Sequence, residues 1–436
     1  MDAMTYAVRL QRMIACRTVS YKDHFEPEEF FKLRTVMEDL FPLVHQRMER
    51  SVFGADCWIY RLRGRDSARA ILLMSHHDVV PAVGAWTHEP FGEIADGKLW
   101  GRGTVDTKTP LFAIFSAVEE LLAEGFVPPC DLYLGSSHNE EVAGDGIPLA
   151  KAYFEAQGIT FEVILDEGGA VIDSPIGGMR CEKCAMVAVH EKGKYYLVCT
   201  AEDGDGHAGL NASIRRSPVE RMASFIHTIT EKPPFVRRLN DQVWAMLEHL
   251  APDCSFPMKA VFSNLGLFGG GLTRIMPKLS PQAGGLLGTT ASFHEIRADR
   301  ERNCCTAVAV LRPVDRKDLE TDLASFRAVA EEFGISVRVR EDSEYHEPAD
   351  MTRPQFAYTM DQIRRTFPDI PAAPMILPAG TDARTLTPLC PCVLRFAPIR
   401  LSAQQLSSVH GTDENIDLDA IPTAVTFYKQ FLSNYR

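Results

Sequence analysis

From about residue 52 to 170, short apolar runs alternate with amphipathic stretches, and no other feature narrows the fold as much. "CWIYRLRG" and "ARAILLMSH" read as strands. "KTPLFAIFSAVEELLAEG" reads as a helix, with Leu111, Ile114, Phe115, Val118, Leu121 and Leu122 on one face and Gly125 as its stop. "DLYLGSS" is a strand, "IPLAKAYFEAQG" a helix ending at Gly158, and "FEVIL" a strand again. Continuously apolar strands separated by helices predict an α/β domain, a mostly parallel mixed sheet flanked by helices.

The texture then changes. "MVAVHEKGKYYLVCTAE" is followed by a helix that starts at Ser217, Pro218 and Glu220 as a capping box and buries Met222, Phe225, Ile226 and Ile229. Two strands ("TTASFHEIRADR" and "CCTAVAVLRPV"), a helix ("DRKDLETDLASFRAVAEEFG") and a strand ("ISVRVRED") come next. That order, β-α-β-β-α-β, predicts a small α+β sandwich inserted into the chain. "PDIPAAPMILPAGTDART" and "PTAVTFYKQFL" return to the α/β texture. The 436 residues exceed one ordinary core. The expected division is 1–184 and 347–436 for a discontinuous catalytic domain, with 185–346 inserted. The glycines of "LFGGGL" (267–272) lack the Lys-Ser/Thr of a phosphate loop and read as a flexible turn.

A formal net charge of −12 leaves no basic face for nucleic acid and no polybasic patch for a membrane. The N-terminal "MDAMTYAVRLQRMIACRTVS" lacks a basic start and a continuous apolar run. Tyr6, Leu10, Met13 and Ile14 make it a packed amphipathic helix, and no apolar run is long enough to span a membrane. A soluble, cytoplasmic protein is expected. Its eleven cysteines, an odd and scattered set, then read as reduced and mostly buried. "CEKC" (Cys181, Cys184) and "CPC" (Cys390, Cys392) have no second pair at finger-like spacing.

In parallel α/β sheets, ligands gather beyond the carboxyl ends of the strands. His76 and Asp78 follow one strand, Asn139, Glu140 and Glu141 the next, and Asp166 a third, while Asp106 stands where a helix begins. Imidazole and carboxylate without thiolate make up a catalytic zinc site. Two histidines and three carboxylates would hold two divalent ions, and His410 in "SSVHGTDENI" offers the second imidazole. A further carboxylate must stay off the metals to accept a proton from water. Bland alternatives exist for each residue. His76 alone could be a satisfied core histidine, Glu140 and Glu141 a solvated pair, and Asp106 and Asp166 helix caps. His77 alternates to the other face of its strand and reads as structural.

"SHHDVVP", "GRGTVDTK", "NEEVAG", "DEGG", "GDGHAG", "GTDAR" and "VHGTDENI", in this order over nearly the whole chain, resemble the ArgE/DapE/aminoacylase family of di-zinc hydrolases. "HNEEVAGDGIPLA", "LDEGGAV", "HEKG" and "LRFAPI" are most similar to its carboxypeptidase S and N-acyl-amino-acid hydrolase branch. The resemblance implies a zinc-exopeptidase-like fold whose inserted domain serves as lid and dimerisation domain. It implies that His76 binds one zinc and His410 the other, that Asp106 bridges both, and that Asp166 completes the first site and Glu141 the second. Glu140 would be the general base, and Asp78 would orient His76. His207 would stabilise the oxyanion, typically in the partner subunit's site, which implies a homodimer. Arg384 would hold the substrate carboxylate, although it could simply pair with Asp382. Asn264 and Arg312 are further candidates for the same pocket.

The chain departs from the branch at Asn139, where Asp is usual, at "AGLNAS" after His207, and at "RERNCCTAV", which lacks a usual proline. These departures bear on substrate choice. The expected activity is cleavage of an amide or peptide bond beside a free-carboxylate amino acid, with two zinc ions per chain, or manganese or cobalt in their place. The substrate would be a small peptide or an N-acyl amino acid. The alternatives are a dipeptidase, a biosynthetic deacylase of an acylated diamino acid, and a catalytically silent metal-binding interaction module.

Overall fold

The computed structural model of the chain describes every residue except 203–216, 280 and 300. It divides into two compact units. The first comprises Met1–Val189, His249–Lys259 and Pro348–Arg436, the second His190–Glu248 and Ala260–Glu347. The stretch His249–Lys259, part of the insertion in the sequence reading, docks on the first unit, where the Arg180 N–H donates to Asp253 O and the Ser255 N–H to Gly178 O, each at 2.9 Å.

A nine-stranded sheet forms the first unit's core. Its centre is Asp66–Met74, parallel to Cys130–Ser136 on one side and to Val163–Asp166 on the other. Val393–Arg395 adds a fourth parallel strand beside Val163–Asp166. Outside these four, Cys57–Leu62 and Lys183–Glu191 pair antiparallel, so the sheet is mixed and its parallel character is confined to the centre. Every residue of Cys130–Ser136 and Val163–Asp166 is buried, which explains their unbroken apolar runs. The four parallel strands end on one side of the sheet, where the acidic and imidazole residues follow them.

Helix Lys108–Ala123 ends with Gly125 in the left-handed region at φ +79°. It buries Phe112, Ala113 and Ala117 as well as the expected face, because the C-terminal helix Ala420–Asn434 packs against it. The N-terminal helix Ala3–Ile14 buries Tyr6, Leu10, Met13 and Ile14 as their spacing predicts, and Asp2 caps it by accepting the Thr5 N–H at 2.8 Å.

The second unit is a four-stranded antiparallel sheet in the order Thr290–Asp299, Cys304–Arg312, Tyr195–Glu202, Ile335–Val339. Helices Pro218–Glu231 and Arg316–Glu332 cover it, and Phe225, Phe326 and Leu197 share its core. The Ser217–Glu220 capping box forms. The glycine run does not make a turn. It lies inside helix Leu265–Leu279, whose buried positions Leu265, Gly269 and Met276 follow helical spacing. Gly269 falls on this stripe, and a Cβ there would stand 2.9 Å from Leu239 Cδ1. Packing thus favours glycine at position 269, while a Cβ at Gly270 or Gly271 would meet nothing within 4 Å.

All eleven cysteines are free thiols, nine of them buried. Among the described residues, no helix is long and apolar enough to cross a membrane.

Candidate active site

The residues that follow the parallel strands converge. Just past Met74, His76 and Asp78 are buried. His76 Nδ1 lies 3.0 Å from the Asp78 carbonyl oxygen and 3.2 Å from Asp78 Oδ1. Asp78 also reaches the next strand end. Its Oδ1 accepts the Glu140 N–H at 3.2 Å, its Oδ2 accepts the Glu141 N–H at 3.1 Å, and Ser20 Oγ donates to Oδ2 at 2.6 Å.

Asp106 stands between the two imidazoles. Its Oδ1 is 3.0 Å from His76 Nε2, and its Oδ2 is 3.0 Å from His410 Nε2. Glu141 Oε2 is also 3.0 Å from His410 Nε2. One ligand atom each from His76, Asp106 and Glu141 fits within a 4.8 Å group. Glu141 Oε1 is buried and takes no hydrogen bond. A buried carboxylate oxygen without a donor, beside two imidazoles and a carboxylate that faces both, suits hard or borderline divalent cations.

Burial pushes Glu140 up to about 9, with His76 opposing and the charges of Asp382, Asp78 and Glu141 reinforcing the rise. Burial and the charge of Asp106 raise Glu167 well above the usual carboxylate range. Burial alone would lower His76, but its hydrogen bonds to Asp106 and Asp78 hold it well above an ordinary histidine. Contacts with Asp106 and Glu141 raise His410 to about 10. Negative charge is thus concentrated beyond what the nearby side chains neutralise, a second reason for divalent cations to bind here.

A cavity of about 560 Å³ opens from this cluster. Asp106, Glu140, Glu141, Glu167 and His410 line one end, and Ile172, Met186, Met375, Leu377, Ile399 and Leu401 contribute apolar walls.

Residues 72–434 match the family description "Peptidase family M20/M25/M40", most of the chain's length. The chain belongs to this peptidase family. M20 membership makes it a metal-dependent hydrolase of C–N bonds. Among its relatives is the "Probable carboxypeptidase S-like 2" of Dictyostelium discoideum, 30% identical over 98% of this chain and 84% of the relative. Another is the N-fatty-acyl-amino acid synthase/hydrolase of Xenopus tropicalis, 29% identical over 98% of this chain and 85% of the relative. Both agree with the branch expected from the motifs. Among solved structures, the M20 family metallo-carboxypeptidase Sso-CP2 of Sulfolobus solfataricus superposes with a TM-score of 0.67 at 16% identity, covering 99% of each chain. Human carnosine dipeptidase 1 does so with a TM-score of 0.62 at 15% identity, covering 99% of this chain and 96% of that one.

The M20 motifs and the structure part at one acidic pair. Asp166, expected to complete the first metal site, is turned away from the cavity. Its Oδ1 accepts the Glu167 N–H at 2.9 Å and its Oδ2 the Ala383 N–H at 3.1 Å, while burial and the charge of Asp382 raise it to about 7 against those bonds and the charge of Arg395. Glu167 lines the cavity instead. The strand's hydrogen bonding ends at Asp166, beside Arg395, so the turn beyond it delivers the next side chain to the site. The "DE" pair in "LDEGG" offered both residues, and the one-residue position of the strand end decided between them.

Arg384 lies in the short 3-10 helix Asp382–Leu389, outside the cavity lining, and burial raises Asp382 to about 6 even though the charge of Arg384 opposes the rise. Asn264 and Arg312 lie in the second unit. Asn264 Nδ2 donates to Ala260 O at 2.8 Å, and Arg312 ends strand Cys304–Arg312. His207 lies outside the described residues. His77 is structural, stacked on Trp58 at 4.1 Å with its Nδ1 2.8 Å from Ser136 Oγ.

Proposed function

We propose that the chain is a di-zinc amidohydrolase that releases an amino acid from an N-acyl or N-blocked precursor with an apolar acyl side. The observation that carries this reading is Asp106, which turns one oxygen to His76 and the other to His410 at 3.0 Å each, as a carboxylate bridging two cations does. His76, Asp106 and Glu167 would hold one ion, and Asp106, Glu141 and His410 the other. Bound there, divalent cations supply Lewis acidity toward the scissile carbonyl and the attacking water.

The chain's own residues perform the proton work. Glu140, which lines the cavity beside Glu141, accepts a proton from the attacking water as its oxygen bonds to the carbonyl carbon. It returns that proton to the nitrogen as the C–N bond breaks, which leaves a carboxylic acid and a free amino acid. Asp78 keeps Glu140 and His76 in register through the bonds described above. The "GDGHAG" motif supports His207 as the group that receives the oxyanion.

Away from the carboxylate end, the apolar walls favour an acyl chain over the free ammonium of a dipeptide or the second amine of a diamino acid, either of which would lose hydration against them. The test is amino-acid release from N-acetyl, N-octanoyl and N-blocked dipeptide substrates, by protein reloaded with zinc and by protein held in chelator. Chelator-sensitive release that favours the longer acyl group is expected. Release indifferent to chelator, or none from any substrate by zinc-loaded protein, would overturn the reading.

A homodimer through the inserted domain is part of the same proposal. Thr290–Asp299 is an edge strand that pairs with Cys304–Arg312, and its residues from Glu295 to Asp299 are exposed. Such an edge invites a second strand. Sedimentation should give a dimer mass for the native chain and a monomer for Ile296→Pro, and a native monomer would reject the dimer.

A further inference from the structure

The loop that presents Asp106 is held by a carboxylate from the far end of the chain. Glu414 is fully buried. Its Oε1 accepts the backbone N–H groups of Val105 at 2.7 Å and of Gly103 and Asp106 at 3.1 Å. Its Oε2 accepts the guanidinium of Arg102, which is itself buried. Arg102 Nη2 reaches on to the Gly411 carbonyl at 2.6 Å. Gly411 follows His410, whose backbone sits in the left-handed region at φ +60°. That conformation at a non-glycine residue persists where its surroundings impose it. One buried ion pair therefore grips two loops, one ending in Asp106 and the other carrying His410.

We infer that Glu414 is a positioning residue for metal binding, acting with Arg102 to fix the spacing between Asp106 and His410. The inference rests on the reading of those two residues as metal ligands. Glu414 touches neither carboxylate nor imidazole of the cluster. Its charge-assisted bonds set where the Asp106 backbone lies, and Arg102 carries the same constraint to the His410 loop.

Two variants separate the contacts. Glu414→Gln keeps an oxygen for the backbone N–H groups but turns an amide –NH2 toward Arg102. Arg102→Lys keeps the charge beside Glu414, but a single ammonium cannot reproduce the planar fork that reaches both Glu414 and Gly411. Zinc affinity is read by competition with a chromophoric chelator, cobalt geometry by visible absorption, and folding by thermal melting, alongside kcat and KM. Both variants are expected to melt cooperatively, to bind zinc about 10- to 100-fold more weakly, and to show altered cobalt spectra, with kcat lowered and KM little changed. Native zinc affinity and native cobalt spectra in both variants, with any loss confined to melting, would overturn the inference. If Glu414→Gln does not fold, Arg102→Lys decides by the same affinity and spectrum. A native protein that binds neither zinc nor cobalt would remove the metal reading itself, an outcome distinct from native-like variants.

Discussion

Asp78 and Glu141 belong to different strand ends, yet the Asp78 carboxylate accepts the Glu141 backbone N–H at 3.1 Å while its other oxygen accepts that of Glu140. One buried side chain therefore sets both the imidazole of His76 and the start of the acidic pair. Asp78→Ala should lower kcat/KM by about 10- to 100-fold. It should also cost about 2–4 kcal/mol of stability, since two buried N–H groups lose their acceptor. Steady-state kinetics and denaturant unfolding of the same preparation measure the two effects. Native values in both would show that Asp78 orients nothing.

Glu140→Gln removes the proton acceptor and keeps the shape of the side chain. We expect kcat to fall by about 100- to 10,000-fold with zinc stoichiometry unchanged. A variant that loses zinc along with activity would instead make Glu140 a ligand.

Met375 lies in strand Ala372–Leu377, half-buried, with its side chain in the cavity wall. Met375→Trp should shorten the space for an acyl chain. Excluding two or three methylenes, at ~0.8 kcal/mol each, should lower kcat/KM for long acyl substrates by roughly 10- to 50-fold and leave the N-acetyl substrate nearly untouched. Equal losses on both would mean that the acyl chain lies elsewhere.

His138 sets a pH dependence of stability apart from catalysis. It is buried edge-on to Phe25 and Phe30, and burial lowers it from 6.5 to about 4. Between those values the unfolded chain takes up a proton that the folded chain refuses, so stability is present above about 6.5 and falls as pH drops toward 4. From pH 6.5 to 5 the loss from this group is about 2 kcal/mol. His138→Leu should flatten that part of the curve. Parallel native and variant curves in denaturant unfolding at the two pH values would refute the assignment.

The legible parts were those encoded locally. Continuous apolar runs mark the buried parallel strands, and the positions just beyond them hold His76, Glu140 and Glu141, which Asp78 links in the fold. Asp106 and His410 were found as donor types in suitable loops, and the fold brings them within contact of each other. Where a choice depended on one residue of register, sequence could not make it. Asp166 and Glu167 have the same chemistry, and only the pairing of Asp166 with Arg395 across the sheet turns the first inward to backbone donors and the second to the cavity. The helix through "LFGGGL" is hidden for a related reason, since local preference argues against glycine in a helix and only Gly269 meets a distant neighbour, Leu239. Glu414 was overlooked because its partners lie in another part of the chain.

Asp106 and Glu414 are separated by 308 residues of sequence. The entropic cost of closing so long a loop grows only with the logarithm of its length, so the distance itself is a small burden on the finished fold. Its effect falls on the order of events during synthesis. The ribosome releases the acidic strand ends long before the segment that clamps them, and until then their carboxylates face one another without His410 or the Arg102–Glu414 tie. The clamp on the Asp106 loop thus closes only after Glu414 has been made.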